Sequence, residues 1–183
     1  MILITGLGNP GKEYEKTRHS VGFLAIDAIA TNFQFPIFKF QSIFNAQISK
    51  KTADNQEIIL AKPQTFMNES GTAVEKLIKN YKLKIKNLIV IHDDIDLPLG
   101  EFKISKNRGS AGHKGVQSII NELKTKDFSR VRIGICPKIG KPKAVEKFVL
   151  QNFTKTEEKA LQAVIPKIID LLKSDVNKLT SIS

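Results

Sequence analysis

Tryptophan is missing from this chain of 183 residues, and cysteine occurs once, at Cys136. A lone thiol excludes a disulfide framework. Because Cys136 ends the strand-like run 131–136, it reads as a small core residue and not as a nucleophile. Long apolar runs are missing too: none approaches the roughly twenty residues that a membrane-spanning helix needs, and the N-terminus lacks the basic-then-apolar order of a secretory signal. The expectation is a soluble, cytoplasmic protein. Acidic residues are in short supply, 18 against 29 Lys and Arg, which leaves a formal charge of +11. Residues 82–147 alone hold fifteen of the basic side chains against seven acids. Such a surplus is a candidate footprint for a polyanion, although lysines solvating ordinary surface would give the same count. Aromatic residues rarely interleave with these charges, so the sequence signals contact with phosphates and not stacking on single-stranded bases. Neither an internal repeat nor a low-complexity linker occurs, and residues 1–183 read as a single domain with its own core.

What is present concentrates near the N-terminus. Residues 1–5 are a short apolar run suited to a buried strand, while Val21, Leu24, Ala25, Ala28 and Ile29 recur at the spacing of one helix face. A polar loop of about fifteen residues joins them and carries Asn9, Tyr14, Arg18 and His19; strand-to-helix connections usually run two to six residues, and long ordered loops are usually functional. Gly6, Gly8 and Gly11 fit the G-x-G-x-x-G spacing of a dinucleotide-binding turn. That turn needs a helix opening at the second glycine, and an acidic residue closing a second strand about twenty positions on. Here the helical stripe starts ten residues after the last glycine and Asp27 lies inside it. The glycines and Pro10 are therefore read as turn formers.

Further along, residues 36–49 alternate apolar and polar, 53–56 look like a turn and 57–61 form a second strand, which together suggest a hairpin. Residues 62–71 read as a loop before a helix marked by Val74, Leu77, Ile78 and Tyr81. Asn87-Leu-Ile-Val-Ile-His-Asp93 is a continuous apolar run ending in charge. It predicts a central strand whose C-terminal end delivers His92, Asp93 and Asp94 to the sheet edge where open α/β folds bind ligands. Residues 101–105 and 130–136 are further strands, and between them a glycine-bearing loop, 107–115, leads into a helix with Val116, Ile119, Ile120 and Leu123 on one face. Thr154-Lys-Thr-Glu157 is a capping box opening the last helix, which Pro166 is expected to kink or divide. Strands and helices alternate throughout, so the fold class is α/β, a single domain with a mixed β-sheet packed between helices.

Four segments set unusual polar residues at element ends: Gly6-Leu-Gly-Asn-Pro-Gly11, Tyr14-Glu-Lys-Thr-Arg-His19, Lys62-Pro-Gln-Thr-Phe-Met-Asn68 with Ser70-Gly71, and His92-Asp-Asp-Ile-Asp-Leu-Pro98. In order and spacing, and over nearly the whole chain, they resemble the bacterial-type peptidyl-tRNA hydrolases; Gly112-His113-Lys114-Gly115 adds to the likeness. The resemblance implies a carboxylic ester hydrolase that uses water to cleave the bond between a peptide, or N-blocked aminoacyl group, and the 3′ ribose of tRNA. It implies peptidyl-tRNA as partner, neither metal nor cofactor, no membrane, and a monomer. The residue types suit that chemistry. Attack by neutral water needs a base that is unprotonated near pH 7 and a good acid afterwards, and imidazole, at about 6.5, is both. His19 is the expected base, with Asp93 as the carboxylate that fixes its tautomer and stabilises the imidazolium.

Carboxamides donate and accept hydrogen bonds without adding charge. The resemblance gives Asn9 the acylated amine, which separates peptidyl-tRNA from aminoacyl-tRNA, and gives Asn68 the substrate near the scissile ester. It sets Tyr14 and Phe66 where the tRNA end and the peptide meet, and Lys103 and Arg132 on tRNA phosphate; charge and loop context alone add Lys106 and Arg108. Ser20 stands where that family usually has asparagine, an exchange read as one good helix cap for another. Lys114 stands where asparagine is common. An ammonium cannot accept a hydrogen bond, so Lys114 is read as a phosphate contact beside Lys103, Lys106 and Arg108. His92 and His113 are read as structural. Two other classes stay open: a metal-dependent nuclease or phosphatase built on Asp93, Asp94 and Asp96, and a non-catalytic tRNA-binding module.

Overall fold

Successive residues of the first strand, β1 (Ile2–Gly6), serve different helix layers: Ile2 and Ile4 pack on one face of the sheet and Leu3 on the other. A strand apolar at every position is buried on both faces, which is the condition of a central strand in an α/β sandwich. The computed structural model describes residues 1–53 and 55–181 and continues from β1 through α1 (Val21–Asn32), β2 (Lys39–Gln41), β3 (Ala46–Ala53), β4 (Gln56–Pro63), α2 (Ser70–Asn80), β5 (Leu88–Pro98), β6 (Phe102–Lys106), α3 (Lys114–Leu123), β7 (Ser129–Cys136), α4 (Val145–Val149) and α5 (Lys155–Ser181). The strands form one seven-stranded sheet in the order β2-β3-β4-β1-β5-β7-β6. The four central strands run parallel, while β2, β3 and β6 pair antiparallel at the flanks. One face carries α1 and α5 through Ala25, Ile26, Ile29, Leu161, Val164 and Ile168. The other carries α2 and α3 through Val74, Leu77, Val116 and Ile119. The mixed sheet between helices is thus as expected.

Register explains where the polar residues emerge. Gly6, the last residue of β1, lies opposite Ile91 of β5, so His92, Asp93 and Asp94 project beyond the end of their neighbour on that side. On the other side β5 stays paired with β7, then shifts register between Asp94 and Pro98. The strand does not end at Asp93, as the charge predicted, but runs to Pro98. A side chain on Gly134 would run into the Pro98 carbonyl, so the shifted stretch of β5 sits directly on the β7 backbone.

The three glycines of the first loop divide their tasks. A Cβ on Gly6 would strike the Gly22 carbonyl, and one on Gly22 would strike the Leu7 and Ile91 backbone, so α1 enters against bare strand. Of the three, only Gly11 takes a positive φ, 109°, as a turn requires. Gly6 is therefore a close-packing residue, and no helix opens on the glycines; single 3₁₀ turns at Lys12–Tyr14 and Arg18–Ser20 lead to α1 instead.

Elsewhere the alternation across residues 36–49 resolves into β2, a tight turn with Asn45 at φ 49°, and β3, which forms a hairpin with β4. Within the turn read at 53–56, residue 54 lies outside the described residues. Pro166 does not divide the last helix. Pro166 and Gln162, whose carbonyl it leaves without a donor, are both exposed, so water can satisfy that group while the apolar face of α5 stays packed on the sheet.

Candidate active site

Three loops, strand β5 and helix α4 converge on a cleft of about 870 Å³. The first loop supplies Asn9, Tyr14 and His19, the β4–α2 connection Phe66 and Asn68, and β5 Asp93; Lys114, the first residue of α3, stands at the edge. Seven of the nine expected site residues therefore share one cleft. Lys103 and Arg132 do not line it. They lie opposite each other on β6 and β7, and Arg132 lines a separate basic hollow with Lys106, Arg108 and Arg130. Arg132 is also tied to β5, its Nε donating to Asp94 Oδ2 at 2.6 Å.

Asp93 is the hub. His19 Nδ1 approaches its two oxygens at 2.9 and 3.0 Å, and His113 Nε2 reaches Oδ1 at 2.9 Å. The tautomers follow from neighbours that can act in one sense only. Val116 N–H donates to His113 Nδ1, so the His113 proton sits on Nε2 and is donated to Asp93. His92 Nδ1 lies 2.6 Å from the Asp93 backbone carbonyl and must donate to it; its buried Nε2 has no partner among the described residues. An ionised carboxylate can only accept, so His19 gives it Nδ1–H and keeps a lone pair on Nε2.

Electrostatics sharpens this arrangement. Burial pushes the Asp93 carboxyl up, but the charges of His19 and His113 and the bonds from both rings pull it down much further, well below the usual carboxylate range. For His19, burial opposes the imidazolium, yet the Asp93 charge and hydrogen bond prevail and raise it above its ordinary value, with Lys114 opposing weakly. His92 moves the other way: burial and the facing His113 hold it neutral, well below the ordinary value.

Asn9 is buried, and its Oδ1 accepts from Met67 N–H at 2.8 Å, which leaves the amide NH₂ as its free function. Ser20 does not act as the helix cap expected of it. Its Oγ instead accepts from Asn9 N–H and from Thr17 Oγ1, both at 3.3 Å, and so fastens the asparagine to the histidine's own turn. Phe66 is 57% exposed on the cleft rim. Lys114 faces the cleft and not the basic hollow, because α3 begins at that residue; its Nζ meets Glu146 Oε1 of α4 at 2.7 Å. The sequence reading left His113 out of the site, although a histidine closing a glycine-bearing loop just before a helical stripe is at a capping position, and His113 fills it.

The three aspartates do not form one cluster. Asp93 serves the histidines, Asp94 serves Arg132 and the Asp96 N–H, and Asp96 serves Lys141. Among the described residues, one group of three sets metal-ligand atoms within 4.8 Å of one another, and it consists of His19, Asp93 and His113. Those atoms are already joined through the protons that a metal would displace.

An imidazole lone pair facing a cleft, with its other nitrogen committed to a carboxylate, can take a proton from water, which is the capacity a general-base hydrolase needs. Comparison with known proteins narrows that class. Residues 3–182 match the peptidyl-tRNA hydrolase family, to which the chain belongs. It is 46% identical over its full length to a peptidyl-tRNA hydrolase of Thermodesulfovibrio yellowstonii, covering 98% of that protein, and 47% identical over 93% of its length to one of Aquifex aeolicus, covering 87%. The crystal structure of peptidyl-tRNA hydrolase from Acinetobacter baumannii superimposes with a TM-score of 0.86 at 29% identity, over 99% of this chain and 89% of that one. The other two readings, metal-dependent nuclease or phosphatase and bare tRNA-binding module, are not favoured by these matches. No helix among the described residues is long and apolar enough to cross a membrane.

Proposed function

We propose that His19 is the general base of the peptidyl-tRNA ester hydrolysis to which membership of this family assigns the chain. The observation that carries the reading is the Nδ1–Asp93 bond, which leaves Nε2 unprotonated over the cleft. Nε2 draws a proton from water as the oxygen attacks the ester carbonyl; Asp93 stabilises the imidazolium, which returns the proton to the departing ribose oxygen. With Oδ1 engaged, the Asn9 NH₂ donates to a carbonyl. The acyl group of a blocked amine supplies one and a free amino group does not, which supports Asn9 as the reader of the N-acyl end. Asn68 holds the substrate near the ester, and Tyr14 and Phe66 flank the junction of tRNA and peptide. Lys103 and Arg132, facing each other across β6 and β7, and Lys114 at the rim take tRNA phosphates, with Lys106 and Arg108 extending that track. No metal or cofactor takes part, and the enzyme acts as a cytoplasmic monomer.

The test is release of N-acetyl-aminoacyl groups from tRNA by the purified chain, with and without EDTA. Release should be insensitive to EDTA, and His19→Ala should lower kcat by about 10²- to 10⁴-fold with KM nearly unchanged. A His19→Ala enzyme of near-normal kcat would remove histidine from the role.

A further inference from the structure

Arg18 immediately precedes His19, and its side chain is buried, 6% exposed. A guanidinium in that position needs its donors filled. Glu157, at the start of α5, takes Nη2 at 2.8 and 3.0 Å and Nε at 3.3 Å. Nη1 donates to the carbonyls of Phe148 and Gln151 at 3.2 and 3.3 Å. Phe148 lies in the last turn of α4 and Gln151 two residues past it, so the guanidinium adds a second donor to carbonyls where that helix ends. The Phe148 ring lies 4.0 Å from the guanidinium. Backbone bonds from Arg18 N to Gln151 O, 3.0 Å, and from Phe153 N to Lys16 O, 3.1 Å, run alongside. Glu157 is fixed in turn by the capping box with Thr154, at 2.7 and 3.3 Å.

Both ends of this connection reach the cleft. One is the turn Arg18–Ser20 that carries His19; the other is α4, whose Val145, Glu146 and Val149 form a cleft wall. We infer that Arg18 is a positioning residue for the reaction: clamped by Glu157, it sets the His19 turn so that Nδ1 stays on Asp93, and it holds the α4 wall at a fixed distance from the base. The inference rests on His19 being the base. One Nδ1–H shared between two carboxylate oxygens, at 2.9 and 3.0 Å, demands placement to a few tenths of an ångström, while the loop before this turn is exposed from Gly11 to Glu13 and at Glu15 and Lys16. Arginine is required because only its fork serves a carboxylate and two carbonyls at once.

Arg18→Lys keeps the charge and discards the fork. In this variant, kcat for N-acetyl-aminoacyl-tRNA should fall about tenfold or more with KM within about twofold, since misplacing a catalytic group costs the chemical step. The pKa of His19, followed by imidazole ¹⁵N NMR, should fall as its bond to Asp93 loosens. Glu157→Gln should behave alike; its amide oxygen still accepts from Thr154 N–H, so it carries the test should Arg18→Lys fail to fold. A folded variant that lowers Tm but leaves kcat and the His19 titration unchanged would overturn the inference and reduce the pair to a stabilising contact. If instead the acid limb of the parent enzyme does not follow the measured His19 titration, the base assignment fails, and the response of the ring to Arg18→Lys still judges the clamp.

Discussion

Replacing Asp93 by Asn tests the geometry of the site more closely than removing it. The carboxylate accepts from two rings, whereas an amide offers one accepting oxygen and a donating NH₂. His113 cannot yield, because its Nδ1 is occupied by the Val116 N–H and its proton is therefore fixed on Nε2. The amide oxygen must take the Oδ1 place to keep His113, and the NH₂, in the Oδ2 place, then lies 3.0 Å from His19 Nδ1. A donor there opposes the Nδ1 proton and favours the tautomer that carries it on Nε2, the atom that should take the proton from water. Asp93→Asn should thus hold His19 in the wrong tautomer and lower kcat by roughly 10³- to 10⁴-fold, the scale of the same exchange in serine proteases. The pH profile adds a second reading. In the parent enzyme His19 titrates above its ordinary value, so kcat/KM should fall as pH drops through a point above about 6.5. Without the carboxylate only burial and Lys114 act on the ring, and both lower it, so the limb should move below that point. Adding His113→Ala to Asp93→Asn frees the amide to turn its oxygen toward His19 and should restore part of the rate. Steady-state assays on N-acetyl-aminoacyl-tRNA from pH 5 to 9 suffice; a double variant no faster than the single one, or an unmoved limb, would refute the reasoning.

Asn9→Ala or Asn9→Asp should lower the preference for N-acetyl-aminoacyl-tRNA over aminoacyl-tRNA, since the free NH₂ donor is lost; unchanged discrimination in paired assays would refute the role. Lys114→Ala should raise KM, leave kcat within a few-fold and reduce the salt slope by about one unit, the value of one phosphate contact. Glu146→Gln should do the reverse to KM by freeing Lys114 from its carboxylate, and an unchanged KM in both variants would place Lys114 outside the tRNA contact. His92 is neutral in the fold and charges on unfolding, so its contribution to stability is intact above about pH 6.5 and is lost below it, at up to about 1.4 kcal/mol per pH unit. Urea titrations of the parent and of His92→Gln between pH 5 and 7.5 should therefore diverge, the variant losing less stability on acidification.

Much of this was legible in the chain because it is local. The apolar run of β1, the stripe of α1 and the charged end of the 87–93 run each declare themselves within ten residues, and they carry His19 and Asp93 to the site. What was not legible depends on distance or on brevity. Nothing near Arg18 points to Glu157, 139 residues on, and the capping box at 154–157 gave no hint that its glutamate has a second partner. Five residues of α4 are too few to show a period. His113 met Asp93 only once β5 and the start of α3 had been brought together. Lys114 is read from its ammonium and its glycine-flanked loop, and neither says which side of a helix start faces which hollow. Pro166 was given the local cost of proline, and its exposed position removed most of that cost.

The meeting of Gly6 and Gly22 has a consequence for how this site tolerates change. With no side chain between them, the ends of the loop touch, and the loop hangs from the fold like a bead on a closed neck. The separation of Asn9 from His19 is set at that neck, by Ser20 and by the Arg18 clamp, not by the length of chain between them. Residues 11–13 are exposed chain, where a change of length should leave Asn9 and His19 in place. Variation in this enzyme should therefore collect in the middle of its most important loop, and its two ends should drift least.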